Sequence, residues 1–406
     1  MEDVEVIAAS AICLFSIYNY ACVLNKYKVQ QRHRRRKRRM WMNKIHRNRT
    51  LNSMEQSFQD MIREDSGEFN NFCRMSPSDF EFLLSKIEPM IKRQSRLRIP
   101  ITPKIRLALT LRYLATGDSY RNLHYLFKVS PSAISLIIPA VCKAINIVLK
   151  DQIKLPQSPE HWLSIEEGFR RQFPRCIGAL DGKHIVIKCP TQSGSGAYTI
   201  VLMALVDMDY NFIFANIESK EHTNDCLLWQ KIDSNNINLP PDTPLPGREQ
   251  NVPYVFLGDG ALASHKHLII PYPGNHNIGT KEHTFNYILS STRVVVENVF
   301  GLLTNVFRVF RKPIEIDIEK APIITMTCIL LHNFLRRSQS SQNIYTPPGT
   351  FDAIIDGELV EGSWRQHNIA PSVSAIRPIP LVATDTRSEV SQIRSEYTDY
   401  FYNLNL

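Results

Sequence analysis

Apolar residues recur at helical spacing through residues 51–150. Thr102-Pro103 is typical of an N-cap followed by proline at the first helical position, and Gly117 predicts the end of that helix. Ser119 and Ser130 predict the starts of two further helices. Two closely linked helices with a capped second member form a helix-turn-helix pattern. Many proteins without DNA contacts share this pattern, so it does not assign DNA binding by itself.

From residue 170 the pattern changes to short runs rich in Val, Ile and aromatic residues, which are typical of strands. Helices are predicted at about 223–233, around 294–303 and over 321–337. This order predicts an α/β domain with a mixed sheet. Residues 338–380, rich in Ser, Pro and Gly, predict a loosely ordered loop before a last amphipathic helix. The predicted strands are Cys176–Cys189, Tyr198–Val206, Phe212–Ile217 and Tyr254–Leu257.

The N-terminal residues 6–24 form an apolar stretch of 19 residues. A membrane span needs about 20 apolar residues, so the length permits one. The stretch is rich in Ala and contains Ser, Asn19 and two Tyr, which favours a helix that packs against protein. We therefore favour a packed or partner-binding helix and regard a membrane anchor as the weaker alternative.

Charge is concentrated in one short segment of the 406-residue chain, whose net charge is +9. Residues 26–49 carry twelve Lys and Arg residues and no acid, so the remainder has a net charge of −3. The run from Arg32 to Arg39 is dense enough for nuclear import or nucleic-acid contact. We predict nuclear localisation, with a cytoplasmic pool left open.

The eight dispersed Cys residues lack a CxxC pair, which argues against structural zinc and disulfides.

Three acidic residues stand in apolar surroundings, where burial disfavours a charge. Asp181 follows CIGAL, Asp259 ends the run YVFLG, and Glu297 is embedded in VVVENVF. Carboxylates from two strand ends and a following helix can converge at one sheet edge. Carboxylate oxygens hold Mg²⁺ or Mn²⁺, and two such ions support in-line attack on a phosphodiester.

Each acid also has an alternative explanation. Asp181-Gly182 and Asp259-Gly260 are both turn signals, and Glu297 could face solvent. Asp207 and Asp209 most simply mark a turn between two strands. His332 is predicted to be a helix residue with its hydrogen bonds satisfied.

Six ordered motifs resemble the PIF/Harbinger transposase family and its domesticated nuclease relatives, members of the DDE superfamily. The resemblance covers roughly residues 70–345. The motifs are LATGDSYRNLHYLF (114–127), IGALDGKHIVI (177–187), VLMALVDMDYNFIFANI (201–217), LPGREQNVPYVFLGDGAL (245–262), FNYILSSTRVVVENVFGLL (285–303) and CILLHNFL (328–335).

The resemblance implies an RNase H-like α/β fold preceded by an all-α helix-turn-helix region. It places a catalytic and metal-binding triad at Asp181, Asp259 and Glu297, with two divalent ions, Mg²⁺ or Mn²⁺. DNA contacts are then expected from Ser132, from Arg293, and from the basic residues Arg34, Arg35, Arg36, Lys37, Arg38 and Arg39. Family members act with a separate Myb-like DNA-binding protein, so such a partner is expected. The oligomeric state, a homo-oligomer included, is left open, and membrane association is not favoured.

The resemblance and the residue patterns together predict four parts. They are an apolar helix plus basic arm over 1–50, a helical region with helix-turn-helix over 51–150, an RNase H-like DDE nuclease domain over 151–345, and a loosely ordered segment with a C-terminal helix over 346–406.

Some residues depart from the family pattern. The family usually has Arg at the positions of Ser291 and Val294, and an acid is common at Gly260. Loss of cations next to the active helix would weaken phosphate contacts. The main prediction is therefore a metal-dependent DNA endonuclease, either a transposase or a domesticated nuclease. The alternative is a catalytically silent DNA-binding or partner-recruiting protein.

Overall fold

The computed structural model describes most of the chain beyond residue 50 and a helical stretch over 16–24 before it. The basic run over 32–39, most of the 6–24 stretch and much of the helix predicted at 223–233 lie outside the described residues. The described residues are 16–24, 51–63, 66–94, 100–188, 198–218, 228–229, 232, 237–262, 265–355, 358–367, 374–379 and 388–404.

Side-chain caps begin three helices of the N-terminal helical region where the sequence predicts them. The hydroxyl of Thr102 accepts the Ile105 N–H at 3.4 Å, and the hydroxyls of Ser119 and Ser130 do the same three residues downstream. The helices are α1 (Leu51–Arg63), α2 (Glu68–Cys73), α3 (Pro77–Ile91), α4 (Pro103–Thr116), α5 (Tyr120–Phe127), α6 (Pro131–Val148) and α7 (Pro159–Phe169). The assignment of α5 and α6 to a helix-turn-helix stays a prediction.

Within the described residues, α6 is also the one helix long and apolar enough to cross a membrane. Its inward residues, among them Ile134, Ile138 and Val141, are fully buried in the protein core. A core helix passes the same length and composition test, so the finding carries no membrane assignment.

A mixed sheet lies at the centre of the second half of the chain, as predicted. Its strand order is β3-β2-β1-β6-β7, with β10 paired to β1. The pairs β1–β2 and β2–β3 are antiparallel, whereas β1–β6 and β6–β7 are parallel. The strands of this sheet are β1 (Cys176–Ile187), β2 (Tyr198–Val206), β3 (Phe212–Glu218), β6 (Val255–Leu257), β7 (Leu268–Ile269) and β10 (Ile376–Pro378); β4 (Thr243–Pro244) and β5 (Asn251–Val252) form a separate pair.

Helices cover the sheet and join it to the helical region. Helix α8 (Lys281–Val306) is longer than the predicted 294–303, and α9 (Ala321–Arg337) matches its prediction. Asn333 on α9 accepts the N–H of Phe212 at 2.9 Å and donates to its carbonyl at 2.7 Å, which ties α9 to β3. One hydrophobic core runs from α1 through the sheet to the last helix, and residues 51–406 form one compact unit.

The expectation of a loosely ordered loop over 338–380 needs correction for the described residues. They form a short helix α10 (Gln342–Tyr345), a hairpin of β8 (Ala353–Ile355) and β9 (Glu358–Val360), a 3₁₀ turn (Ser363–His367) and strand β10. Trp364 packs on α8, and its indole N–H donates to the Asn298 side chain at 2.6 Å. The segment is ordered by these long-range contacts. The last helix, α11 (Ser388–Leu404), is confirmed.

Candidate carboxylate site

The register of two parallel strands places Asp181 and Asp259 side by side. Ala179 on β1 faces Leu257 on β6, and both aspartates lie two residues further along their chains. Asp181 is fully buried in the middle of β1, paired with Ala204 of β2, so the hairpin-turn alternative for Asp181 is wrong. Asp259 follows the end of β6 and is half-buried. Its carboxylate also accepts the Ala261 N–H at 3.1 Å, so it forms the predicted turn as well.

Two cations flank the Asp181 carboxylate. Lys183 lies two residues along the same strand, on the same face, and its Nζ is 2.6 Å from Asp181 Oδ2. Arg293 of α8 is buried, and its Nη2 is 3.8 Å from Asp181 Oδ1. Neither oxygen of Asp181 accepts a directed hydrogen bond within the described structure. The charge of Asp181 is therefore balanced by proximity to cations and not by fixed donors.

The Asp181 carboxylate acts electrostatically on Asp259. Burial raises the pKa of Asp259, and the nearby Asp181 carboxylate raises it further. Arg293 and, more weakly, Lys183 act in the opposite direction on the same pKa. The site is therefore a pair of close carboxylates whose repulsion is only partly relieved by two basic side chains.

Glu297 lies one helical turn after Arg293 on α8, on the same side of the helix. The side chain of Glu297 is exposed, and its charge helps to raise the pKa of Arg365. Among the described residues, no three acidic, His or Cys side chains converge as a metal cluster. Glu297 thus lies beside the aspartate pair but is not brought together with it.

Helix α8 is held in place from behind by the segment that sequence reasoning expected to be loose. Gly301 leaves room for the Trp364 ring, since a Cβ there would come within 2.2 Å of it. Arg365, next to Trp364, forms an ion pair with Asp352 at 2.6 Å. These contacts fix the helix that carries Arg293 and Glu297.

The chemistry of Asp181 and Asp259 fits a divalent cation. Hard cations bind carboxylate oxygens that lack close donors. Asp181 Oδ1 fits this condition better than Oδ2, because Arg293 Nη2 is 3.8 Å from Oδ1 whereas Lys183 Nζ is 2.6 Å from Oδ2. A divalent ion between the two would also remove the repulsion that raises the pKa of Asp259. Glu297 in its exposed position does not complete a three-carboxylate set.

Other predicted site residues fall in different places. Ser132 is exposed near the start of α6. Arg293, expected to contact DNA, faces Asp181. The basic residues 34–39 lie outside the described residues. At the positions where the family carries Arg, Ser291 bonds to the Ile288 carbonyl at 2.9 Å and Val294 is half-buried.

Sequence reasoning missed the role of Lys183. Its position two residues after Asp181 in a predicted strand was the available signal, because side chains at i and i+2 share one face. His332 fits its prediction: its Nε2 lies 2.7 Å from the Tyr210 carbonyl and its Nδ1 2.8 Å from the Tyr345 hydroxyl. Burial lowers the pKa of His332 to about 3, so the ring is neutral.

Comparison with known proteins finds one family match that spans the three acids. A model of the family described as DDE superfamily endonuclease matches residues 180–333, a range that includes both aspartates and Glu297. Residues 180–333 are thus similar to a DDE superfamily endonuclease domain. The family predicted from the ordered motifs is thus confirmed.

Two curated proteins of Arabidopsis thaliana are similar to this chain. The protein named antagonist of like heterochromatin protein 1 is 24% identical over 295 residues, covering 66% of this chain and 72% of the relative. A protein named ALP1-like is 22% identical over 253 residues, covering 58% and 61%. This chain therefore spans less than two thirds of the second relative. No solved structure matches significantly.

Proposed function

We propose that the protein is a divalent-metal-dependent DNA endonuclease, acting as a transposase or a domesticated nuclease. The observation that carries the proposal is the juxtaposition of Asp181 and Asp259 on neighbouring parallel strands inside a DDE superfamily endonuclease domain. Proteins seldom keep two carboxylates close together in a partly buried place unless the pair has a task. Binding of a divalent cation is the task that suits carboxylate oxygens best.

In this proposal Asp181 and Asp259 hold Mg²⁺ or Mn²⁺, and Glu297 joins them when DNA is bound. Ions held there would activate a water or a 3′-hydroxyl as the nucleophile and would stabilise the leaving oxygen. Lys183 and Arg293 lie against Asp181 and orient its carboxylate. Both also offer positive charge to a phosphodiester that enters the site.

DNA is the expected substrate, and the nucleus is the expected location. The basic segment 26–49 supports both, because such segments serve nuclear import and contact phosphates without sequence preference. A Myb-like DNA-binding partner, implied by the resemblance, would supply sequence selection. Exposed Ser132 and the α5–α6 pair are the proposed DNA contacts of the helical region.

A catalytically silent DNA-binding or partner-recruiting protein is the second candidate. Two observations favour it: Lys183 already forms an ion pair with Asp181, and the exposed Glu297 does not converge with the aspartates. One relative is named antagonist of like heterochromatin protein 1. In this candidate the domain keeps its fold and serves in chromatin without cleaving DNA.

A plasmid-nicking assay separates the two candidates. Purified protein with Mg²⁺ or Mn²⁺ should convert supercoiled plasmid to the nicked form, and Asp259→Asn should abolish nicking. Asp209→Asn is the matched control, because Asp209 is an exposed turn aspartate on the same sheet. Nicking that survives Asp259→Asn would sink the assignment, and salt-dependent DNA binding with no cleavage under any divalent metal would favour the silent protein.

A further inference from the structure

Four arginines meet where the helical region adjoins the end of α8. Arg74 follows α2, Arg112 lies on α4, and Arg308 and Arg311 lie in the 3₁₀ turn that comes directly after α8. We call these four residues the arginine cluster. Their positions in the sequence are far apart, so only the fold brings them together.

Close contacts between the backbones hold the cluster together. A Cβ at Gly117, at the end of α4, would lie 2.9 Å from the Arg308 carbonyl oxygen, so α4 approaches the 3₁₀ turn as closely as backbones allow. The Arg112 guanidinium lies 4.8 Å from the ring centre of Phe72 on α2. The three segments are therefore packed against one another.

Local contacts fix two of the side chains. Arg74 donates to the Asn71 side chain at 2.7 Å, and Arg311 donates to the Asn305 side chain at 2.6 Å. Both asparagine oxygens are neutral acceptors, so they orient the guanidinium groups without cancelling their charge.

The charge of the cluster is not compensated within the described residues. None of its members forms an ion pair there, whereas Arg170 pairs with Glu166 and Arg248 with Glu396. The Nε atoms of Arg74, Arg112 and Arg308 are buried with no hydrogen-bond partner in the described structure. Burial lowers the pKa of Arg74, and the charges of Arg308, Arg112 and Arg311 lower it further.

We propose that the arginine cluster binds phosphate groups of the DNA backbone. Guanidinium groups remain charged in proteins and bind phosphate oxygens through paired N–H donors, which suits half-buried, unpaired arginines. Identifying DNA as the source of the phosphates rests on the proposed nuclease function, whereas the affinity for phosphate stands on the cluster itself.

The position of the cluster along α8 fits this source. Arg293, which lies against Asp181, is 13 residues before the end of α8, which is about 20 Å at 1.5 Å per residue. A duplex advances about 3.4 Å per base pair, so this distance corresponds to roughly six base pairs. DNA that runs along α8 with a scissile phosphate at the aspartate pair would pass the cluster within one helical turn.

The salt dependence of DNA binding tests the proposal. The probe is a labelled 30-base-pair duplex in EDTA, titrated with wild-type protein and with the double variant Arg112→Gln/Arg308→Gln at several NaCl concentrations. Each lost phosphate contact makes the negative slope of log K against log salt shallower by about 0.9, so the slope of the variant should be shallower by about 1.8. The control Lys86→Gln/Lys92→Gln removes the same charge from exposed residues on α3 and directly after it, and it should keep the wild-type slope.

A second variant and a second anion guard against misfolding and other ligands. Arg112→Lys/Arg308→Lys keeps the charge and should keep most of the slope, and circular dichroism should show that the variants are folded. Pyrophosphate should raise the Tm of the wild type more than chloride at equal ionic strength, and this difference should vanish in the Gln variant. An unchanged slope in the folded Gln variant would overturn the proposal, even if pyrophosphate binds the cluster.

The nicking assay keeps this inference distinct from the proposed function. If the Gln variant loses slope and the wild type does not nick DNA, the arginine cluster is a DNA contact and the proposed nuclease function is wrong. If the wild type nicks DNA and the Gln variant keeps its slope, the nuclease function stands and the proposed DNA contact is wrong.

Discussion

Two buried aspartates of this protein are treated in opposite ways. Asp79, in the first turn of α3, accepts hydrogen bonds from the hydroxyls of Ser338 at 2.5 Å and Ser340 at 3.0 Å, and from Ser76 and Ser341. Asp181 accepts none in the described structure and instead lies against another carboxylate and two cations.

The difference distinguishes a carboxylate that stabilises the fold from one that is available for chemistry. Fixed hydroxyl donors satisfy the Asp79 carboxylate and join α3 to the segment after α9. The Asp79 carboxylate therefore serves contacts within the protein. Asp181 and Asp259 retain oxygens that a ligand can use, at the cost of mutual repulsion. Substitution of Asp79 is therefore expected to reduce stability and not function. Substitution of Asp181 or Asp259 is expected to reduce function.

The largest expected effect is on catalysis. Asp181→Asn should lower the nicking rate roughly 10³-fold or more, because loss of one fixed charge that acts on the reacting groups costs about this much. The rate constant is measured on supercoiled plasmid with Mn²⁺. Equal rates in variant and wild type would place the chemistry elsewhere.

The next effect is on stability. Asp79→Ala should lower the free energy of unfolding by about 3 kcal/mol, because four hydroxyls and the α3 terminus lose a shared buried acceptor. Asp79→Asn keeps one acceptor oxygen and should lose less. Urea unfolding measures both, and the nicking rate per folded molecule should stay at the wild-type value. A stable Asp79→Ala variant would show that the serines find other partners.

The buried His332 gives a pH-dependent version of the same contrast. Its pKa is about 3 in the folded protein and 6.5 as a free side chain, so the unfolded chain takes up a proton first as the pH falls. Its contribution to stability is thus complete above pH 6.5 and is lost below it, by about 1.4 kcal/mol per pH unit down to about pH 3. Replacement by Asn should remove this part of the slope of unfolding free energy between pH 6.5 and 4.5. An unchanged slope would mean that His332 takes up its proton over the same pH range in the folded and unfolded protein.

The smallest expected effect is a gain. Because the pKa of Asp259 is raised, its ionisation disfavours the folded state, and this cost appears as the pH rises through its ordinary range. Asp259→Asn should therefore stabilise the metal-free protein at pH 7 by about 0.5–1 kcal/mol, a common result of removing a functional charge. Thermal unfolding in EDTA measures it, with Asp209→Asn as the control. Destabilisation would mean that Asp259 is a structural residue like Asp79.

Much of the fold could be predicted because its signals are local. Thr102, Ser119 and Ser130 each cap a helix over a distance of three residues, and the strand Tyr198–Val206 shows its own composition. The order of Asp181, Asp259 and Glu297 could be read from the motifs, and the parallel register then places the first two side by side.

The remainder depends on contacts between distant residues. Strand β10 is three residues long and ends in Pro378, so its pairing with β1 has no local signal. The burial of Trp364 on Gly301 and the meeting of Arg74 with Arg308 likewise arise only when the chain is folded. The exposure of Glu297 follows from how α8 is rotated against the sheet, which its apolar neighbours on both sides do not specify.

Manganese binding tests the central claim, that Asp181 and Asp259 form a divalent-cation site, most directly. Calorimetric titration of the wild type at pH 7 should show saturable Mn²⁺ binding that Mg²⁺ competes for. Affinity should fall at lower pH, because protons compete at the raised pKa of Asp259. Asp259→Asn should weaken binding at least tenfold while Asp209→Asn leaves it unchanged. Equal Mn²⁺ affinity in wild type and Asp259→Asn would contradict the account.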